Sequence, residues 1–480
     1  MRAFHHFLLL LVLLLGLPSC GEDEPILEQG ESIGEEASAA PEAWIPEGNE
    51  WVGDWNSLAA EVRRDLSAST GKDQSELRFL VSDTERMTEV LERNIAARFA
   101  EGEESGIAAS AIEQLSKALL GIYDLEKDVV HIALDHFVSM AEAIDMPELK
   151  AREVTYAVMV HEGAHAYADA NFDLTRLFRD AQERGAVDLT CAEAVCEGHA
   201  QYLARKTCAA ANRLGGFEIF TQAITEIPSG LDAGQRALVE KSVHAFGFAY
   251  GHGETFVTAV IADGGASAEQ RIFTNPPRTR TEVLRPAWYI DPDSRPEHGY
   301  DIDEALALVP DSFSEVPGIR FTRNELAGSD LAEANATVMG RERAVAMGAL
   351  LEVCQVQIGM VGQGDQMAYI GLMTTADEAS ADQFLAFAQE ASEAKDEAFR
   401  EDGYIKILSS KTTLIDSELG IGMNHIKRVA VNGQEAPLSS MIVRRGRLIV
   451  EITLSNLELP DGEAEALADR VLRRAMLEED

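Results

Sequence analysis

Across residues 58–146 apolar positions recur at helical spacing, with Leu77, Phe79, Leu80, Met87, Val90 and Leu91 among them, broken by a charged loop at 101–106. The same period runs through 151–170, where Val154, Val158, His161 and His165 fall on one stripe. It returns at 192–204, where Glu193 and Glu197 share a face. Residues 128–134, DVVHIAL, follow the turn-prone Tyr123-Asp124 and are rich in β-branched side chains, which predicts a strand. His131 lies in it and reads as a plain edge-strand histidine rather than a ligand.

Beyond residue 300 the texture changes. Residues 367–373, 404–408, 427–431, 441–443 and 448–454 predict strands, the last two joined across Arg444-Arg445-Gly446 as a hairpin. Helical patterns at 379–399 and 464–477 alternate with them. The expectation is an α+β chain: a mainly helical domain with a small edge-stranded sheet at 56–300, then a smaller α+β domain at 301–480 with helices on one face of its sheet. Residues 291–297, with two prolines and four charges, start the loop that closes the first domain. The C-terminal part shows no constellation of nucleophile and base, and a binding or bracing role is its default.

The N-terminus sets the compartment. Arg2 precedes an apolar run at 7–17, too short to span a bilayer, and Leu17-Pro18-Ser19-Cys20 follows it. Residues 1–19 therefore read as a secretory signal that resembles a bacterial lipoprotein leader, with Cys20 as the lipidated first residue of the mature chain. No Lys or Arg occurs from there until Arg63, so residues 20–55 read as an acidic flexible tether. The 480-residue chain carries a formal net charge of −41, which argues against nucleic acid and anionic lipid as partners. Attachment to a membrane is then expected through lipidated Cys20, in the cell envelope facing the periplasm, on the outer membrane by analogy, or at the cell surface. Cys191, Cys196, Cys208 and Cys354 remain; pairing is open, with three connectivities possible.

The chemistry is concentrated in His161-Glu162-Gly163-Ala164-His165. Histidines four apart on a helix project from one face at the separation a single Zn²⁺ requires. Glu162 sits beside them, placed to take a proton from a zinc-activated water as general base in amide hydrolysis. Gly163 costs about 1 kcal/mol inside a helix and implies close packing or a need for space. The plain alternative is a pair of helical histidines satisfied by hydrogen bonds. A catalytic site needs a third ligand, and the face carrying Glu193 and Glu197 is the place to look. The oxyanion of peptide hydrolysis also needs a donor, and Tyr250 and His252, in the glycine-spaced run 247–253, are the candidates.

Glu197-Gly198-His199-Ala200 resembles the glutamate-bearing second helix of gluzincin metallopeptidases, where the Glu of an NEGFA-like run binds zinc. The resemblance selects Glu197 as third ligand and leaves Glu193 to orient a ligand or to be a solvated charge. Residues 161–174, HEGAHAYADANFDL, are similar to the HELTHALQDQHFDL stretch of a group of bacterial zincin-like proteins, whose EGDA motif aligns with Glu197-Gly198-His199-Ala200. Residues 250–257 and 275–289 continue the likeness, which covers residues 121–289. His199 stands where that group has Asp, and Arg280 and Arg285 where it has Thr and His. The resemblance implies a zincin fold, with the strand at 128–134 running antiparallel to bound peptide.

These features together predict a membrane-tethered zinc metallopeptidase acting on peptide or protein substrates. The alternative is a zincin-derived lipoprotein without turnover that keeps metal for structure or binds an envelope partner. Glu162 speaks against it; His199, Arg280 and Arg285 speak for it.

Overall fold

The computed structural model describes residues 48–97, 112, 115–184, 186–227, 247–294, 300–326, 328–361, 366–402, 405–431, 434–460 and 462–476. The expected leader, Cys20 and the expected tether up to residue 47 lie outside the described residues. Asn49, Val52 and Trp55 are buried, so the folded part begins before residue 56. No helix among the described residues is long and apolar enough to cross a membrane. The chain is α+β and divides into two compact units, one running to Arg278 with Glu282–Pro292, the other formed by Thr279–Thr281 and Asp293 onward.

The first unit is built on helices α1 (Trp55–Thr70), α2 (Thr84–Ala97), α3 (Leu134–Ala143), α4 (Arg152–Phe172), α5 (Leu174–Arg184), α6 (Ala186–Ala210), α7 (Leu214–Ala223) and α8 (Gly253–Thr274). Residues Val154 to Val160 of α4 are all buried, the signature of a helix enclosed on every side. Leu58, Val62 and Leu66 of α1, Phe217 and Phe220 of α7, and Val130 and Ile132 of the small sheet share its core. At its far end Asp173 takes a left-handed conformation, φ 59°, and Asp169 accepts the backbone N–H of Leu174, turning the chain directly into α5. Polar anchors brace the assembly: Glu61 on α1 binds Arg152 at 3.0 Å and Arg213 at 2.6 Å. The Tyr156 hydroxyl donates to Asp65 at 2.9 Å.

Three strands, β1 (Arg78–Val81), β2 (Gly121–Asp124) and β3 (Val129–Ile132), form a sheet in the order β1-β3-β2. Two expectations are corrected here. Residues 78–81 are strand, not helix, because Leu77 and Phe79 alternate into the core while Arg78 points out. The strand carrying His131 is central, not an edge: β3 pairs parallel with β1 and antiparallel with β2. His131 is accordingly buried, with Nδ1 2.7 Å from Ser82 Oγ and Nε2 3.9 Å from Asp124. One backbone carbonyl on each flanking strand is taken by a side chain as well. Asn94 Nδ2 donates to the Tyr123 carbonyl at 2.7 Å, and Trp55 Nε1 to the Phe79 carbonyl at 3.4 Å.

The second unit holds a seven-stranded antiparallel sheet ordered β4-β5-β6-β10-β9-β8-β7. Its strands are β4 (Arg320–Glu325), β5 (Leu351–Val361), β6 (Gln366–Thr375), β7 (Ile405–Ser417), β8 (Gly420–Val431), β9 (Gln434–Arg445) and β10 (Leu448–Ser455). The hairpin between β9 and β10 is present, with Arg445 opposite Leu448. Helices cover both faces, not one. Leu467, Val471 and Leu472 of α12 (Glu463–Ala475) pack with Ile370, Leu372, Val450 and Ile452. Met347 of α10 (Arg341–Gly348) and Phe384 and Phe387 of α11 (Glu378–Asp402) pack with Val356, Met373 and Ile449 on the other face. α9 (Gly328–Met339) contributes Leu331 and Met339 to that side. The continuous apolar runs of the central strands are the sequence sign of burial on both sides.

Burial, followed by Arg86, depresses the His131 pKa to about 4. A neutral histidine in the fold contributes stability that is whole above the unfolded value near 6.5, declines as the unfolded chain takes up the proton, and is gone by about pH 4. The expected loss is at most roughly 3 kcal/mol, at about 1.4 kcal/mol per pKa unit. Urea unfolding of the native chain should lose this much more between pH 7 and pH 4 than a His131→Gln variant; parallel pH profiles would contradict it.

Candidate metal centre

Helix α4 presents His161 and His165 one turn apart, both buried, with ring centroids 4.8 Å apart and planes at 88°. Their Nε2 atoms lie 3.2 Å from each other. Helix α6 brings Glu197 against them, with Oε2 3.3 Å from His161 Nε2 and 3.4 Å from His165 Nε2. Among the described residues this is the group of His, Cys, Asp and Glu side chains arranged to hold an ion. Ligands about 2.0–2.1 Å from a tetrahedral zinc lie roughly 3.3–3.4 Å from one another, so the three donors have the spacing such an ion demands. Glu197 Oε2 is buried and makes no aligned hydrogen bond despite facing two imidazoles, the condition of an oxygen whose lone pair serves a cation. Two imidazoles and a carboxylate are the donor set of catalytic zinc rather than of a hard, all-oxygen site.

The electrostatics follow from burial and from one another. Burial opposes the charge on Glu197, but His165 and His161 outweigh it and hold the carboxyl well below its usual range. Burial likewise opposes protonation of His165, and Cys196 and Glu197 reverse the balance, raising its pKa well above the ordinary value. Glu162 is raised, because burial exceeds the pull of His161 and His165. The backbone N–H of Tyr123 donates to the Glu162 carboxylate, tying the general-base candidate to β2. A Cβ at Gly121 would stand 2.8 Å from Glu162 Cγ, so only glycine leaves room for that side chain.

Tyr250 comes from a six-residue π-helix, Gly247–His252, that leads into α8. Its ring stacks on His161, centroids 5.6 Å apart and planes within 12°. Its hydroxyl donates to Glu197, and burial followed by the Glu197 and Glu162 carboxylates raises its pKa well above the usual value. The hydroxyl therefore stays protonated and able to donate at neutral pH. His252 is exposed, its ring 6.2 Å from Phe248, which makes Tyr250 the better placed of the two oxyanion candidates. Glu193 is half-buried one turn before Glu197. On the outer nitrogen of His165, Nδ1, the neighbour is Cys196 Sγ at 3.3 Å.

Glycines set how closely these helices meet. A Cβ on Gly198 would lie 2.1 Å from the carbonyl carbon of Gly253, and one on Gly253 would lie 2.2 Å from the Ala194 carbonyl oxygen. The backbones of α6 and α8 thus touch one residue from Glu197 and three from Tyr250. Gly163 has a simpler reason: a Cβ there would press on Leu66 and Leu77 at 3.0 and 3.1 Å.

His199, Arg280 and Arg285 have partners outside the three donors. His199 is fully buried with Nε2 2.9 Å from Glu269 and stacks on Tyr167, a structural arrangement on α6 beyond the triad. Arg280 pairs with both carboxylate oxygens of Asp330, at 2.7 and 3.2 Å, and Arg285 lies over the Trp288 ring at 4.7 Å. The four described cysteines are buried and unpaired with one another, so no disulfide braces α6. Sequence reasoning missed Phe220, whose ring meets His161 edge-on at 5.5 Å, along with Tyr123 and Cys196. Of these only Cys196, adjacent to Glu197, had a signal in its position.

Comparison with family models, with characterised proteins and with solved structures finds no match to this chain.

Gly198→Ala should force α6 and α8 apart. The expected cost is of order 1–3 kcal/mol of unfolding free energy, as for overpacking in a dense interior, read from urea midpoints. A midpoint equal to the native one would mean that this crossing has slack.

Proposed function

We propose that the chain is a zinc-dependent metallopeptidase, with His161, His165 and Glu197 as ligands and Glu162 as general base. The observation that carries this is the convergence of three donor atoms within 3.4 Å on two helices, beside a carboxylate of raised pKa. A zinc ion held there supplies Lewis acidity toward the scissile carbonyl and the attacking water. Glu162, half-buried and reluctant to stay ionised, is suited to take the proton from that water and pass it to the leaving amine. The protonated Tyr250 hydroxyl can leave Glu197 and donate to the oxygen on which negative charge develops. His161 stays oriented between Tyr250 and Phe220.

The occupied outward groups at Tyr123 and Phe79 bear on substrate binding. An extended peptide gains its contacts here from side chains around the site rather than by adding a strand at those positions. The leader and Cys20 support a tether to the cell envelope, with the catalytic unit facing outward from the membrane.

Glu162→Gln should lower kcat on a peptide library at least about 10³-fold while leaving bound zinc unchanged, and Tyr250→Phe should lower it roughly 10- to 100-fold. Library digestion followed by mass spectrometry reads both. Cleavage by the Glu162→Gln protein at the native rate would remove the mechanism.

A further inference from the structure

We propose that Cys196 is a positioning residue of this metal centre, its sulfur holding the outer nitrogen of His165 so that the inner one is presented to the ion. The inference rests on the reading of His161, His165 and Glu197 as ligands. Its basis is how the two nitrogens of one ring are used. His165 Nε2 faces His161 and Glu197 at 3.2 and 3.4 Å, while Nδ1 faces Cys196 Sγ at 3.3 Å. Cys196 is 3% exposed and His165 9%, so water does not compete for that contact.

An imidazole that gives its Nε2 lone pair to a cation carries its remaining proton on Nδ1, which must then donate to something. The sulfur is that acceptor. It lies across the ring from the converging donors, which makes it a prop and not a fourth ligand. It forms no disulfide. His161 is held differently: its Nδ1 is buried without a hydrogen-bond partner, and the rings of Tyr250 and Phe220 fix its angle instead. Cys196 also precedes Glu197 on α6, so one helix supplies both a ligand and the prop of another ligand. A thiol is a weaker acceptor than the carboxylate or carbonyl that commonly fills this role, so removing it should loosen the ion without emptying the site.

The test uses the full chain with Cys196→Ala and Cys196→Ser, and Zn²⁺ and Co²⁺ as probes. Zinc affinity is read by competition with a chromophoric chelator, and urea unfolding of the metal-free proteins serves as a fold control. Cys196→Ala should bind zinc about 10- to 100-fold more weakly than the native chain and shift the Co²⁺ visible bands, and Cys196→Ser, which keeps an acceptor, should recover most of the affinity. The native Co²⁺ protein should show no sulfur-to-cobalt charge-transfer band. Equal zinc affinity in Cys196→Ala and the native chain would overturn the inference and leave the metal centre standing, as would a charge-transfer band, which would make Cys196 a ligand. If Cys196→Ala fails to fold, Cys196→Ser and the native Co²⁺ spectrum decide: a Ser variant weakened as much as loss of the acceptor predicts would count against the hydrogen bond. A native chain that takes up neither ion would overturn the metal-centre reading itself, and the prop with it.

Discussion

Two imidazole nitrogens and a carboxylate oxygen lie within 3.4 Å of one another where His161 and Glu197 meet His165. In a largely buried setting their lone pairs repel unless something cationic stands among them, a proton or an ion. That constraint explains the raised pKa of His165 and the lowered one of Glu197, which are the proton's way of meeting the same demand. It also explains the surroundings. α4 is buried all round from Val154 to Val160, its two histidines are buried, and the Gly198–Gly253 crossing holds α6 close enough for Glu197 to reach them.

The histidine pair was legible in the sequence because a helix converts a spacing of four into a shared face, and nothing tertiary is needed to see it. Glu197 was less so: one carboxylate among 82 acidic residues has no periodic mark, and a family resemblance was needed to pick it out. Cys196, Phe220 and Tyr123 lie against the site from three different elements, and only packing brings them together. Tyr250 and His252 looked equivalent in sequence. The π-helix turns the first toward His161 and leaves the second exposed.

How far each strand shows in the sequence depends on how much it owes to its neighbours. β6 and β10 announced themselves as apolar runs, but the same runs carried the further message, unread from sequence, that both faces are covered. β4 is Arg-Phe-Thr-Arg-Asn-Glu and has almost no apolar signal; it exists because β5 offers it an edge. The β-branched run marks β3 as a strand, but its central place in the sheet depends on β1, whose Leu80 pairs with His131 from 51 residues earlier in the chain. His131 is consequently a neutral core residue and not an edge one.

The central claim is that the three donors hold an ion. Elemental analysis of the full chain after exhaustive dialysis tests it most directly, with His161→Ala and Glu197→Ala alongside. The account predicts one zinc per native chain and little or none in either variant. No zinc in the native chain after refolding with the metal, or the same content in all three, would contradict it.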